Sequence, residues 1–137
     1  MSDQIDVNQL SNALQQKVDL PSGKSQADID YVVESQLPTA ENNYTWYRLY
    51  KSGWVEQGGW HYQTSGNSSG AHTITFIKPF SNTSYHVIFS LLHEGNGGTP
   101  NDIYDKYAER TNTSMHIYIT AAWKGYTWEA KGMSAQS

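Results

Sequence analysis

The sequence predicts a mainly β fold: an antiparallel β-sandwich of about seven strands preceded by a short N-terminal helix. From residue 44 onward, short runs rich in Tyr, Trp, Ile, Val, Thr and Phe alternate with clusters of Gly, Asn, Ser and Pro, which is typical of strands and turns. Two of these runs alternate apolar and polar residues, as half-buried strands do. All aromatic residues except Tyr31 lie in this part, so we expect the core there.

Residues 1–20 are predicted to form a short amphipathic helix. Apolar residues spaced three, four and four apart place one narrow stripe on it, namely Val7, Leu10, Leu14 and Val18. Pro21 and Gly23 end the pattern. A helix of about 14 residues is only marginally stable alone in water, so the stripe needs a partner. Because the stripe is as narrow as a coiled-coil seam, a homo-oligomeric bundle is favoured over packing on the chain's own β domain.

Residues 21–43 are predicted to be a polar linker, and residues 44–137 the β domain. One apolar cluster at residues 29–33 precedes Pro38 and a polar run that ends near Asn43. This composition indicates a linker that is extended or briefly helical. The first 43 residues have an excess of acidic side chains, whereas the remainder is nearly neutral.

Seven runs within the β domain are the predicted strands. In the third run Ile74 and Phe76 share one face, and in the sixth Met115, Ile117 and Ile119 do so. Turn residues between the runs favour hairpin connections. The runs are Thr45–Tyr50, Trp54–Gln57 with a continuation at Trp60–Gln63, His72–Lys78, Tyr85–Leu92, Ile103–Arg110, Met115–Ala122 and Tyr126–Lys131.

Composition also bears on the classes of function. The absence of Cys excludes disulfides, thiolate metal sites and a Cys nucleophile. A net charge of -4 argues against a nucleic-acid partner, because such surfaces need clustered Lys and Arg. No apolar run approaches the roughly 20 residues of a membrane-spanning helix, and residues 1–12 lack an apolar signal-peptide core. We therefore expect neither membrane insertion nor a signal peptide.

Three stretches resemble parts of a known family. They are YRLYKSGWVEQGG at 47–59, TITFIKPFSNTSYHVIFS at 73–90 and YTWEAKG at 126–132. Their order and content are similar to the C-terminal receptor-binding (knob) domain of bacteriophage tail-fibre proteins, over residues 44–132. The block GWVEQGG is the most specific part. The stretch KVDLPSGKSQADIDYVVESQ also resembles the repetitive linker of fibre shafts.

The resemblance implies a homotrimeric β-sandwich knob at the distal end of a fibre. Such a protein is part of the virion, is made in the host cytoplasm and recognises a bacterial surface receptor, either a glycan or an outer-membrane protein. Trimerisation through Val7, Leu10, Leu14 and Val18 would combine weak contacts into avidity. Other phage tail proteins are further possible partners. Two alternatives stay open: a structural tail or fibre adaptor without receptor contact, and a stand-alone carbohydrate-binding lectin.

The GWVEQGG block also has a physical interpretation. Gly58 and Gly59 permit a bulge or a close approach where a side chain would not fit. Glu56 and Gln57 face opposite sides of a strand, so one of them can face a trimer axis or partner edge while the other faces solvent. We interpret the block chiefly as fold-specifying.

Receptor contacts are expected from two loops, HEGNGGTPND and the aromatic turn WKGYTW. Tyr and Trp offer rigid amphipathic surface, and Asn, Asp and Gly add adaptable hydrogen bonds. For each aromatic residue, a place in the core or in the trimer interface is the alternative. The candidates are His93, Asn96, Asn101, Asp102, Trp123, Tyr126 and Trp128.

No metal, cofactor or catalytic site is predicted. The five His residues lack the close spacing that places two ligands on one element, although a trimer axis would supply His116, or else His93, three times. Asp102 and Asp105 are close carboxylates without a recognisable acid/base frame. No GxSxG, HExxH or phosphate-loop pattern occurs. We therefore do not expect an enzyme.

Overall fold

The computed structural model describes residues 29–62, 70–92, 102–119 and 125–135. The chain divides into two compact units, Met1–Tyr31 and Val32–Ser137. The predicted helix and its trimerisation stripe Val7, Leu10, Leu14 and Val18 lie outside the described residues. Within the described ranges, no helix is long and apolar enough to cross a membrane.

The described part of the second unit contains eight strands in two antiparallel sheets, which confirms the prediction of a mainly β fold. A five-stranded sheet has the order β1-β2-β3-β8-β5, and a three-stranded sheet has the order β4-β7-β6. The strands are β1 Val32–Gln36, β2 Trp46–Tyr50, β3 Trp54–Tyr62, β4 Gly70–Thr75, β5 His86–Leu92, β6 Ile103–Asp105, β7 Ser114–Ile119 and β8 Gly125–Met133.

Side chains from both sheets form one buried hydrophobic cluster. The predicted alternation is confirmed, because Ile74 and Phe76 are buried, as are the three apolar residues of β7. Ile74 is paired with Met115, so the buried side chains of β4 and β7 lie on one face of the three-stranded sheet. Burying a side chain of this size stabilises the fold by about 1.5–3 kcal/mol. The cluster members without exposed surface are Val55, Met115, Ile117, Ile119 and Ala130.

Gly58 and Gly59 of GWVEQGG lie in β3, where a tryptophan ring covers each of them. A Cβ atom on Gly58 would lie 2.5 Å from the carbonyl oxygen of Trp128 and 2.7 Å from Nε1 of Trp46. On Gly59 it would lie 2.8 Å from Nε1 of Trp128. All three distances are shorter than real Cβ contacts, so the close approach predicted for this pair is confirmed.

Gln57, in the same block, is completely buried in β3. Its Oε1 accepts hydrogen bonds from the backbone N–H groups of Ile77 and Lys78 at 2.8 and 3.0 Å, and its Nε2 donates to the carbonyl oxygen of Lys78 at 2.7 Å. The amide therefore takes the place of a strand partner for residues 77–78. This explains why β4 ends at Thr75, earlier than the predicted end at residue 78. The side chain faces neither solvent nor a partner edge.

The sheet begins earlier than the sequence indicated, because β1 lies inside the predicted linker. Glu34 of β1 accepts a hydrogen bond from Lys78 Nζ and another from the hydroxyl of Tyr47, both at 2.7 Å. These bonds lower the pKa of Glu34 below its ordinary 4.5. Most β1 side chains are exposed. A half-polar strand of five residues, held by partners distant in sequence, has too weak a local pattern to be recognised.

The predicted strand Ile103–Arg110 is also shorter, since β6 ends at Asp105 and a 3₁₀ turn follows at Tyr107–Glu109. The Arg110 guanidinium donates to Oδ2 of Asp105 at 2.7 Å and to the carbonyl oxygen of Tyr85 at 2.6 Å. It also lies over the Tyr85 ring, 4.5 Å from the centroid. Burial raises the pKa of Tyr85 to about 12. The turn therefore places Arg110 where it bonds both the last residue of β6 and the residue just before β5.

We predict that Gln57→Leu destabilises the protein by about 2–4 kcal/mol, because two backbone N–H groups and one carbonyl oxygen then stay buried without a partner. Urea unfolding at a fixed protein concentration measures this change. The matched control is Glu56→Ala, one residue earlier on the opposite face, for which a change within about 0.5 kcal/mol is expected. Equal effects of the two substitutions would contradict the role assigned to the amide.

Candidate functional site

Three of the residues predicted to contact a receptor lie in the described part of the chain. Asp102 is exposed just before β6. Tyr126 and Trp128 lie in β8 and are 5% and 6% exposed within the hydrophobic cluster. This is the alternative that the sequence left open for each aromatic residue, and rings so buried have almost no surface for a receptor. The other candidates lie outside the described residues: His93, Asn96, Asn101 and Trp123.

Two of the polar residues considered for metal binding or acid/base chemistry, His116 and Asp105, have protein partners. His116 has its Nδ1 3.1 Å from the hydroxyl of Thr73. Asp105 forms an ion pair with Arg110, with Nη2 and Oδ2 separated by 2.6 Å. Among the residues that the structure describes, no group of three or more His, Asp or Glu side chains is placed to hold a metal ion.

A cluster of exposed aromatic rings lies instead on the outer face of the five-stranded sheet. We call Tyr44, Trp60 and Tyr62 the aromatic ledge. The ring centroids of Tyr44 and Trp60 are 5.0 Å apart in an edge-to-face arrangement, and those of Trp60 and Tyr62 are 5.7 Å apart. All three side chains are exposed, between 38% and 47%. Large rings that touch one another and remain open to solvent are typical of binding surfaces.

Strand β3 positions two members of the ledge. Because Val55 and Gln57 face the core, the alternation of side chains along the strand directs Trp60 and Tyr62 outward. Trp46 of the neighbouring strand β2 faces the same side and is paired in register with Gly58. Its ring therefore covers the glycine and extends the aromatic surface along the sheet.

Tyr44 reaches the ledge through a strained backbone. Tyr44 and the preceding Asn43 have φ angles of 56° and 58°, in the left-handed region that non-glycine residues rarely adopt. The segment is held by the 3₁₀ turn Ala40–Asn42 and by a hydrogen bond from the N–H of Tyr44 to the carbonyl oxygen of Thr39 at 2.8 Å. Such strain costs about 1–3 kcal/mol per residue and is concentrated at functional sites. The ring position of Tyr44 is thus maintained at an energetic cost.

A concave region, the outer groove, borders the ledge. It has a volume of about 530 Å³ and is lined by side chains from four strands, including Trp46, Trp60, Ile88, Thr127 and Glu129. This volume falls within the range of small-molecule sites, about 300–1,000 Å³. Among the described lining residues, Glu129 alone is charged at neutral pH. Its Oε2 is 3.9 Å from Nζ of Lys131, and both side chains are solvated, so this ion pair contributes little.

The sequence did not point to this site. The sequence pattern predicts only that Trp60 and Tyr62 continue a strand and that Tyr44 begins the β domain. The available signal was the spacing of two residues between Trp60 and Tyr62, which places both rings on one face of a strand. Tyr44 joins them only because β2 and β3 pair and the preceding turn is left-handed.

Comparison of the chain with protein-family models, curated proteins and solved structures finds no significant match. The resemblance to tail-fibre knob domains stays an expectation drawn from the quoted motifs.

We predict that Tyr44→Gly yields a more stable protein than Tyr44→Ala, by about 1 kcal/mol, because glycine adopts positive φ without strain. Both variants lose the ring, so the difference reports the backbone alone. Thr45 is the control position, where the φ is ordinary and Thr45→Gly is expected to be less stable than Thr45→Ala. Chemical denaturation of the four variants measures both differences. The same order at both positions would contradict the strain assigned to Tyr44.

Proposed function

We propose that this chain is the tip protein of a bacteriophage tail fibre, which adheres as a homotrimer to a receptor on the bacterial surface. In this proposal the two sheets form a β-sandwich knob, and the N-terminal helix joins three copies. The protein acts in the virion and binds its receptor without catalysing a reaction. The GWVEQGG block, with Gln57, Gly58 and Gly59 in structural roles, is the part of the motif that specifies the knob.

The observation that carries the proposal is the aromatic ledge with the adjoining outer groove. Exposed aromatic rings lower solubility, and the left-handed backbone conformation of Tyr44 lowers the stability of the fold. Folding by itself requires neither feature, so their coincidence at one concave place supports a binding role. Tyr and Trp supply such binding because they present rigid, amphipathic surface at a small cost in conformational entropy.

Three ledges on one trimer would provide adhesion from individually weak contacts. When one ledge is bound, the other two are held near the same cell surface, and the effective concentration for the next contact rises. This is the physical advantage of trimerisation through Val7, Leu10, Leu14 and Val18. Tight attachment therefore does not require a deep, enclosed pocket.

A structural adaptor is the second candidate, and the edge strand β1 favours it. Val32 and Val33 in this strand and Leu37 just after it are exposed, Leu37 to 74%. An exposed apolar edge can pair with another chain. In the adaptor role this edge would contact a further tail protein, and the ledge would be dispensable for cell binding. A stand-alone lectin is the third candidate and needs neither the edge nor the trimer.

We expect the full chain to have three times the mass of one copy in solution. Light scattering coupled to size exclusion measures this mass. Leu10→Asp with Leu14→Asp should lower the mass, because charges on an apolar seam oppose helix association. Asn8→Asp with Gln15→Asp is the control, since these positions flank the stripe, and it should leave the trimer intact. A monomeric full chain would contradict the fibre-tip proposal and favour the lectin.

We expect Tyr62→Ala to reduce adsorption of the labelled protein to bacterial cells by about tenfold or more, because each trimer loses three ledge contacts at once. Tyr104→Ala is a closely matched control: Tyr104 is 49% exposed, compared with 47% for Tyr62, but lies on the three-stranded sheet.

Flow cytometry on a panel of bacterial strains measures this adsorption. Binding restricted to some strains and lost only in Tyr62→Ala supports adhesion through the ledge. Absence of binding to every strain contradicts adhesion and favours the adaptor, whereas equal loss in both variants contradicts the assignment to the ledge.

A further inference from the structure

Two rows of side chains cross the floor of the outer groove, and strand register determines both. In the first row Thr127 of β8 lies in the middle. It is paired with Trp60 of β3 on one side and with Ser90 of β5 on the other. Side chains directly opposite in antiparallel strands have Cβ atoms about 5 Å apart. The row therefore begins with an aromatic ring and continues with two hydroxyl groups, all on the outer face of the sheet.

The second row lies two residues along each strand. Glu129 of β8 is paired with Gly58 on one side and with Ile88 on the other, and the Trp46 ring covers the glycine. Ile88 is 60% exposed, although it is the most apolar member of the row. The two rows are about 7 Å apart along the strands. The floor thus combines two tryptophan rings with two hydroxyls and one carboxylate.

This combination is complementary to a sugar ring. A pyranose has a face of C–H groups with partial positive charge, which is attracted to the negative face of an aromatic ring. Its rim carries hydroxyl groups that donate and accept hydrogen bonds in the ring plane. In the groove, Trp60 offers the aromatic surface, while Thr127 and Ser90 offer hydroxyls about one ring width away. A peptide segment would instead require a deeper apolar pocket for its side chains.

The charge of the groove restricts which sugar fits. Glu129 is the one charged group among the described lining residues. Two cations lie outside that lining: Lys131, with Nζ 3.9 Å from Oε2 of Glu129, and Arg48, whose Cζ is 6.0 Å from the centroid of the Trp46 ring. A carboxylate accepts hydrogen bonds from neutral hydroxyls or from a protonated amine, whereas it repels the carboxylate of a uronic or sialic acid. The lining therefore favours a neutral or amino-substituted sugar over an acidic one.

We infer that the receptor bound in the outer groove is a bacterial surface polysaccharide, of which a neutral or amino-substituted pyranose stacks on Trp60 and hydrogen-bonds to Thr127, Ser90 and Glu129. The inference rests on the proposed adhesion and names the ligand class for it. Trp60 supplies the stacking surface. The Glu129 carboxylate favours neutral or amino-substituted sugars over acidic ones.

The test uses the full labelled chain on a bacterial strain to which it adsorbs. Cells are treated either with sodium periodate, which cleaves vicinal diols of sugars, or with proteinase K. We expect periodate to abolish adsorption and proteinase K to leave it unchanged. The opposite pattern overturns the sugar inference but keeps the adhesion proposal. Absence of adsorption to any strain contradicts the adhesion proposal, and with it the inference.

Variants of the chain test the position of the site, with the polysaccharide purified from the same strain as the probe. Trp60→Ile retains an apolar residue without an aromatic face, and about tenfold weaker binding is expected. Trp60→Tyr retains the face and should restore most of the affinity, and Tyr104→Ala should bind as the native chain does. Equal binding by Trp60→Ile and the native chain overturns the inference. So does a loss of trimer mass in Trp60→Ile, because the groove is then a contact between copies.

Glu129→Gln is a substitution at the sheet surface that tests the charge of the ligand. This variant keeps the size of the side chain but removes its charge. We expect weaker binding, by about threefold to tenfold, because a hydrogen bond to a charged group is stronger than one to a neutral group. Tighter binding of Glu129→Gln overturns the preference for a neutral or amino-substituted sugar, since only an acidic ligand gains from removal of the carboxylate.

Discussion

The buried side-chain amide of Gln57 is the interaction on which the arrangement of the two sheets depends. It lies in β3 of the five-stranded sheet and binds the backbone of residues 77–78, directly after β4 of the three-stranded sheet leaves its ladder. Lys78 then reaches Glu34 on the edge strand and lies over the Tyr47 ring, 4.8 Å from its centroid. The hydrogen bonds of Gln57 thus link the five-stranded sheet to the segment that follows β4. Lys78 of that segment in turn contacts the edge strand β1. A buried amide with all these partners is stabilising, whereas loss of one partner leaves a costly unpaired group.

The glycine pair beside Gln57 links the core to the surface of the same sheet. Gly59 admits the Trp128 ring, which belongs to the hydrophobic cluster, and Gly58 admits the Trp46 ring on the outer face. Two adjacent residues without Cβ atoms therefore let aromatic rings lie close to both faces of one strand. The inner ring stabilises the fold by burial. The outer ring contributes to the groove that we propose as the receptor site, so in this proposal the motif serves both structure and binding.

The proposed site combines a rigid support with features that are unfavourable for folding. Strands β3 and β8 pair over nine residues, and this ladder holds Trp60, Thr127 and Glu129 in fixed register. The rings of the ledge remain exposed, and Tyr44 keeps a left-handed backbone. A stable pair of strands tolerates these energetic costs, because they are small compared with the free energy gained by burying its apolar side chains. Side chains held on strands also lose little entropy on binding, which suits a receptor contact that is weak in each copy and repeated in a trimer.

The sequence by itself determined the β class, most strands and the buried face of the alternating runs, because periodicity of two depends only on neighbouring residues. It also indicated that Gly58 and Gly59 permit a close approach. The expectation that Gln57 faces solvent or a partner edge is wrong, because its amide is buried against the backbone of residues 77–78. Only the tertiary structure decided that β1 joins the sheet, that Tyr126 and Trp128 are buried, and that Tyr44, Trp60 and Tyr62 meet. Those features depend on the pairing of strands that are distant in sequence. They also depend on the left-handed backbone conformation of Asn43 and Tyr44. The local pattern of the chain carries no information on which strands pair, so the ledge emerged only from the folded chain.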